Sequence, residues 1–157
     1  MEQNSTKSNI NWYPGHMAKT KRQIIEDLKL VDLVVEILDA RIPLASQNPV
    51  IQEYIKEKNK IVVLNKCDLA DEATTTAWVK YFEKNNTPAV ITDANSGKGI
   101  RDVINKIKTV AKESQEKYAQ KGRVGKNIRV LVLGIPNVGK SSFINRISKK
   151  TSAKVGN

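Results

Sequence analysis

Two short stretches have residue types and spacings that can do chemistry. GIPNVGKS, Gly134 to Ser141, fits GxxxxGK[ST] and lies between the apolar run IRVLVL and a stretch opening SSFINRI, the strand-to-helix setting that this pattern requires. Gly134 and Gly139 let the backbone curl, so that N–H groups from Asn137, Val138, Gly139 and Lys140 through Ser141 and Ser142 can point at nucleotide phosphates. Lys140 supplies a positive charge near the β- and γ-phosphates, and the Ser141 hydroxyl is a ligand for Mg²⁺. NKCD, Asn65 to Asp68, follows a second apolar run, IVVL. The Asp68 carboxylate can accept from N1–H and the exocyclic amine of guanine, a pairing adenine does not offer. Asn65 can meet another base edge and tie its loop to the phosphate loop, while the aliphatic stem of Lys66 can lie over the ring. NKxD alone is a common surface turn. Its weight comes from sharing a sheet edge with a phosphate loop, and a P-loop ATPase or kinase with an accidental NKCD is separated from this reading by base preference.

The elements that must hold these stretches read as alternating strands and helices. Apolar, β-branched runs at 30–40, 61–68, 88–95 and 128–134 alternate with TKRQIIEDLKL, NPVIQEYIKEK, TTTAWVKYFEK and GIRDVINKIKTVAKESQEKYAQK, whose apolar residues recur every three or four positions. Gly122 is expected to close the last of these helices. Such alternation implies crossover connections and a mostly parallel sheet with helices on both faces. The sequence therefore predicts a three-layer α/β P-loop domain over residues 11–157, preceded by a loose polar tail at 1–10.

Composition narrows the class. The 157 residues suit one domain, and Cys67 is the sole cysteine, so no intramolecular disulfide forms. No apolar run approaches the roughly 18 residues of a membrane span, and the first residues lack a secretory signal. A cytoplasmic monomer without a membrane partner is expected. The net charge of +11 is uneven: residues 1–97 hold 12 Lys/Arg and 13 Asp/Glu, residues 98–157 hold 15 and 3. That asymmetry suits a polyanionic partner, bound through Lys and Arg between Lys98 and Lys126.

Motif order is unusual. NKCD precedes the phosphate loop by about seventy residues, whereas a common small GTPase has them the other way round, so the domain reads as circularly permuted. The helix from Gly99 to Lys121 and the link GRVGKN would join the old termini. TDANSGKG after the third apolar run would be a third base-facing loop, with Asp93 and Ala94 near the guanine O6 side.

WYPGHMAK, LDARIP, NKCD and GIPNVGKSSFINR, in this order, resemble the YlqF/RbgA family of circularly permuted GTPases, over nearly all of residues 11–157. The resemblance implies GTP and GDP as ligands with Mg²⁺, and help in late assembly of the large ribosomal subunit through rRNA and ribosomal proteins. A platform that holds guanine nucleotide and rRNA without turnover is the alternative. The family's Asp-Ala-Arg motif falls on Asp39, Ala40 and Arg41. Family members continue with switch segments and a helical domain, while this sequence stops at Asn157. The sheet is therefore expected to lack the switch strands, in the order phosphate-loop strand, 30–40, 61–68, 88–95, with an unprotected phosphate-loop edge and little turnover by itself.

His16, the sole histidine, follows Trp12, Tyr13, Pro14 and Gly15. Nothing downstream supplies a group to orient an attacking water. A rigid Pro-Gly turn could carry this imidazole toward the γ-phosphate, where its neutral form accepts a hydrogen bond from water. The resemblance implies the same role, since the family's aromatic-Pro-Gly-His element has been tied to hydrolysis.

Overall fold

The computed structural model describes residues 14–155, leaving out the side chains of 14–20, 51 and 151–155. The polar tail at 1–10, Trp12, Tyr13 and Asn157 lie outside the described residues. In chain order the elements are α1 (Pro14–Leu30), β1 (Leu33–Asp39), α2 (Pro49–Ile55), β2 (Asn59–Asn65), α3 (Glu72–Lys84), β3 (Ala89–Ile91), α4 (Ile100–Gln120), β4 (Val130–Leu133) and α5 (Lys140–Val155), with a single 3₁₀ turn at Cys67–Leu69.

The four strands are all parallel, in the order β3-β2-β1-β4, the order expected from the sequence. β1 is central and buried along its whole length. Its alternation separates two cores, since successive side chains leave opposite faces. Leu33, Val35 and Ile37 pack with Ile61, Val63, Ile100, Val103 and Phe143 under α4 and α5. On the other face, Val34 packs with Leu28, Ile55 and Leu133 under α1 and α2, while Leu38, Val62 and Leu64 pack with Phe82 and Trp78 of α3. Glu36 interrupts this second face. It is buried, accepts from Gln52 Nε2 at 2.7 Å and pairs with Lys60 at 3.3 Å.

Local chemistry sets the boundaries. Asn48 caps α2 by accepting from the Val50 amide, with Pro49 behind it, and Asp71 caps α3 at the Thr74 amide, two residues before the periodic stretch suggests. Gly122, at φ +84°, sits just past the end of α4, where a left-handed residue satisfies the last carbonyls. The strands are shorter than their apolar runs. β3 has three residues; just past it the Thr92 amide still donates to the Leu64 carbonyl at 2.9 Å, while its hydroxyl donates to Asn65 Oδ1. The expected Pro-Gly turn before His16 is not a separate turn. Pro14, Gly15 and His16 form the first turn of α1, a position where proline's fixed φ and missing N–H cost nothing.

Val31 and Asp32 link α1 to β1, and Leu28 of α1 packs with Val34 near the start of that strand. β4 is an edge strand, paired with β1 from Val130 to Leu133 and with no other strand among the described residues.

Candidate nucleotide site

Parallel strands deliver all their following loops to one edge. At the finishing edge lie the phosphate loop after β4, LDAR after β1, NKCD after β2 and TDANSGKG after β3.

The phosphate loop is held by close approach. A Cβ on Gly134 would lie 2.8 Å from Val138 Cγ2, and one on Gly139, at φ +92°, would lie 2.4 Å from Asn65 Nδ2. Asn137 also has positive φ, 72°. Val138 is buried, whereas Lys140 and Ser141 are exposed. The first turn of α5 holds no acidic residue, so its N–H groups and Lys140 face an anion without competition.

Asn65 is the hub of this edge. Its side chain is 2% exposed. Nδ2 donates to the Val138 carbonyl at 2.8 Å, and Oδ1 accepts from Thr92 Oγ1 and from the Ala94 amide, each at 2.9 Å. One amide thus joins NKCD, the phosphate loop and TDANSGKG. The expected tie to the phosphate loop is present. With Oδ1 committed twice, a base contact from Asn65 falls to the second Nδ2–H. Lys66 follows at φ 65°, and the Cys67 amide donates to the Thr92 carbonyl at 3.1 Å. Together they swing Asp68 out to an exposed position.

Of the third loop, Ala94 is buried beside Asn65, its amide aimed at Oδ1, while Asp93 accepts from the Asn95 amide at 3.1 Å and closes its own turn. Arg146 of α5 reaches across: Nε donates to the Ala94 carbonyl at 2.9 Å and Nη2 to the Asn95 carbonyl. Thr92 and Arg146 were not singled out from the sequence. The stretch GIPNVGKSSFINR contains the arginine, but nothing local shows that it returns to a loop fifty residues earlier.

LDAR also comes to this edge. Asp39 lies opposite Asn65 in the β1–β2 register and is buried. Its carboxylate accepts from Arg41 Nε at 3.0 Å, Arg41 Nη2 at 2.7 Å and the Arg41 amide. The Arg41 hydrogen bond holds the Asp39 carboxyl below its usual range against the opposing effect of burial, and Lys66 adds to the lowering. Its own amide donates to Ser46 Oγ. His16 lies in the first turn of α1, and its side chain is outside the described residues.

A hollow of about 700 Å³ runs along the outer edge of β3 between α3 and α4, meeting the nucleotide loops at Cys67, Lys98 and Gly99. It holds none of the phosphate loop. Among the described residues no cluster of three or more His, Cys, Asp or Glu could hold a metal ion, and no helix is long and apolar enough to cross a membrane.

Residues 129–157 match the model of a family described as 50S ribosome-binding GTPase. The ribosome biogenesis GTPase A of Bacillus cereus is 47% identical over 147 residues, covering 94% of this chain and 50% of that protein. Two solved structures of YlqF from T. maritima, one GNP-bound and one GDP-bound, superpose with TM-scores of 0.62 at 35% and 34% identity, covering 82% of this chain and 47% and 48% of theirs. The chain spans about half the length of the relatives it matches. By sequence and structure, over that half, the chain matches the YlqF/RbgA family of ribosome-biogenesis GTPases, with its circularly permuted P-loop fold.

Proposed function

We propose that this chain is the nucleotide-binding unit of a GTP hydrolase that assists late assembly of the large ribosomal subunit, engaging rRNA and ribosomal proteins as a cytoplasmic monomer. The observation that carries the reading is the Asn65 side chain, which ties NKCD to the phosphate loop and to TDANSGKG through three hydrogen bonds. A nucleotide on this edge meets the phosphate loop with its phosphates and Asp68 with its base. The polar pairing of Asp68 with guanine can reject adenine by as much as ~10⁴, because the wrong base would cover the carboxylate without pairing it. The solved relatives, which hold GNP and GDP, support guanine.

Mg²⁺ fits as a companion of the nucleotide. Ser141, exposed at the start of α5, would hold the ion through its hydroxyl, and the ion would supply positive charge against the phosphates. His16 is proposed to orient the attacking water. The resemblance of WYPGHMAK to the family's aromatic-Pro-Gly-His element supports this.

Titration with labelled GDP against ADP tests the base. Strong GDP preference is expected, and equal affinities would sink the guanine reading. Asp68→Asn should weaken guanine and improve xanthine, whose 2-oxo group needs a donor there. In a chain extended to the length of the relatives, single-turnover GTP hydrolysis with the large subunit separates a hydrolase from a holding platform. His16→Ala should slow that hydrolysis with nucleotide affinity unchanged.

A further inference from the structure

The strands finish at the nucleotide edge and start at the opposite pole, where cations collect. Lys29 at the end of α1, Arg123 and Lys126 in the link after α4, and Arg129 at the mouth of β4 line one hollow of about 560 Å³. Lys117 and Lys121, from the end of α4, line the adjoining hollow of about 260 Å³. Lys29, Lys117, Lys121, Arg123 and Arg129 are exposed.

Their counter-charges are few. Asp32 and Glu57 line the second hollow. Asp32 is engaged already, accepting from Tyr118 Oη and the Arg129 amide and pairing with Lys126 at 3.7 Å. Lys126 also lies 4.0 Å above the Tyr118 ring, which fixes it and the link that carries it. Among the described residues, no carboxylate is within ion-pair distance of Lys29, Arg123 or Arg129. Like charges held together repel, so the array gains most from an anion of high charge density.

We infer that this pole is a docking surface for the phosphate backbone of RNA. The inference rests on the rRNA partner proposed above and names the surface that meets it. A concave basic hollow admits a phosphodiester strand, with one charge per nucleotide, whereas a bilayer presents a flat anionic plane that meets only its rim. Displacing condensed counterions makes such binding favourable and salt-dependent. The four residues of β4 separate Arg129 from the phosphate loop, roughly 13 Å at ~3.3 Å per residue, so RNA at the pole leaves the nucleotide edge open.

The test compares two triple charge reversals in the full chain. Lys29→Glu/Arg123→Glu/Arg129→Glu alters the pole. Lys80→Glu/Lys84→Glu/Lys149→Glu changes the net charge equally at exposed positions that line neither hollow. Both are titrated with fluorescent rRNA fragments from ~50 to 200 mM salt, with labelled GDP binding as the check of fold. The pole triple should bind RNA at least about tenfold more weakly, with a salt slope smaller by about three, and GDP unchanged. The other triple should stay within about threefold. Equal losses in both would overturn the surface, as would anionic phosphatidylserine vesicles binding the unaltered chain more tightly than RNA does. If the glutamate triple loses GDP binding, the corresponding glutamine triple is read instead, with a slope change of the same sign expected and an unchanged slope refuting the surface. If the unaltered chain binds no RNA, the rRNA partner itself fails. If it binds but the pole triple is indifferent, only the surface fails.

Discussion

Asn65 and Asp32 hold opposite ends of the same sheet, and they do so by different chemistry. Asn65 joins three loops at the nucleotide edge with a neutral, buried amide. Asp32 joins α4, the link and the start of β4 at the other pole, with a carboxylate that accepts from Tyr118 Oη at 2.5 Å and the Arg129 amide at 3.0 Å. The backbone reinforces it, since the Asp32 and Leu33 amides both donate to the Arg129 carbonyl. A neutral hub gives geometry that is indifferent to pH and salt, which suits loops that must stay in register around a ligand. A charged hub tolerates partial hydration and anchors the segment that joins α4 to β4, the join a permuted order needs. The two ends therefore differ in what can loosen them.

Removing the neutral hub should have the largest effect. Asn65→Ala leaves the Val138 carbonyl, the Thr92 hydroxyl and the Ala94 amide without their partner, and each such buried group costs about 1–3 kcal/mol. Stability in urea should fall by about 3 kcal/mol or more, and GDP affinity by over about a hundredfold as the three loops separate. Stability within ~1 kcal/mol of the parent would show that water or a shifted loop replaces the amide.

A gentler break keeps the amide and pushes on it. Gly139→Ala places a methyl 2.4 Å from Asn65 Nδ2 at a φ of +92°, which an L-residue adopts only with strain of about 1–3 kcal/mol. Because the strain falls on the phosphate loop, GDP affinity should drop by more than the stability change alone explains. Equal losses in Gly139→Ala and in Gly122→Ala, where φ is +84° but a Cβ meets nothing within 4 Å, would show that the left-handed backbone alone, and not the contact with Asn65, sets the cost.

The two hubs are unequally legible in the sequence. NKCD and GIPNVGKS each follow an apolar run, so their strand-end positions and the strand order were legible, and Asn65 was expected to tie its loop to the phosphate loop. Thr92 and Arg146 were not, because their roles lie in contacts 27 and 52 residues distant. Asp32 sits in LVDLVVEILDA, where an isolated carboxylate has no local mark of its use. Its partners lie 86 and 97 residues on, in a helix and a link whose approach depends on the whole sheet forming. Glu36 in the same run is legible only once Lys60 and Gln52 are seen beside it. The Pro-Gly turn misled for a local reason: proline before a turn and proline opening a helix have the same φ.

Breaking the charged hub should cost less. In Asp32→Asn the amide oxygen can still accept from Tyr118, but the nitrogen cannot accept from the Arg129 amide and the charge facing Lys126 is gone. A loss of about 1–2 kcal/mol is expected, with GDP affinity nearly unchanged because the nucleotide loops remain tied by Asn65. A large loss of GDP binding would mean that the two ends are coupled through β4.

The smallest effect is the most specific to the difference between the hubs. Burial raises the Asp32 carboxyl, but the Tyr118 hydrogen bond, the Arg129 amide and Lys126 together outweigh it and leave the carboxyl below its ordinary value. A group lowered in the folded state binds fewer protons there than in the unfolded chain. Its stabilisation is complete above the unfolded value of about 3.9 and is lost as pH falls through the lower folded value. Asp39 contributes in the same direction through Arg41; Asn65 has no proton to bind. Urea unfolding between about pH 6 and pH 3 should therefore show a shallower acid limb in Asp32→Asn than in the parent, while Asn65→Ala shifts the whole curve down with its acid slope kept. If Asp32→Asn leaves the slope unchanged, the Tyr118–Asp32–Lys126 arrangement holds no net charge preference and the pole is held by its backbone hydrogen bonds alone. If Asn65→Ala flattens the slope instead, losing the neutral hub has released Asp39 from Arg41, and the nucleotide edge depends on charge after all.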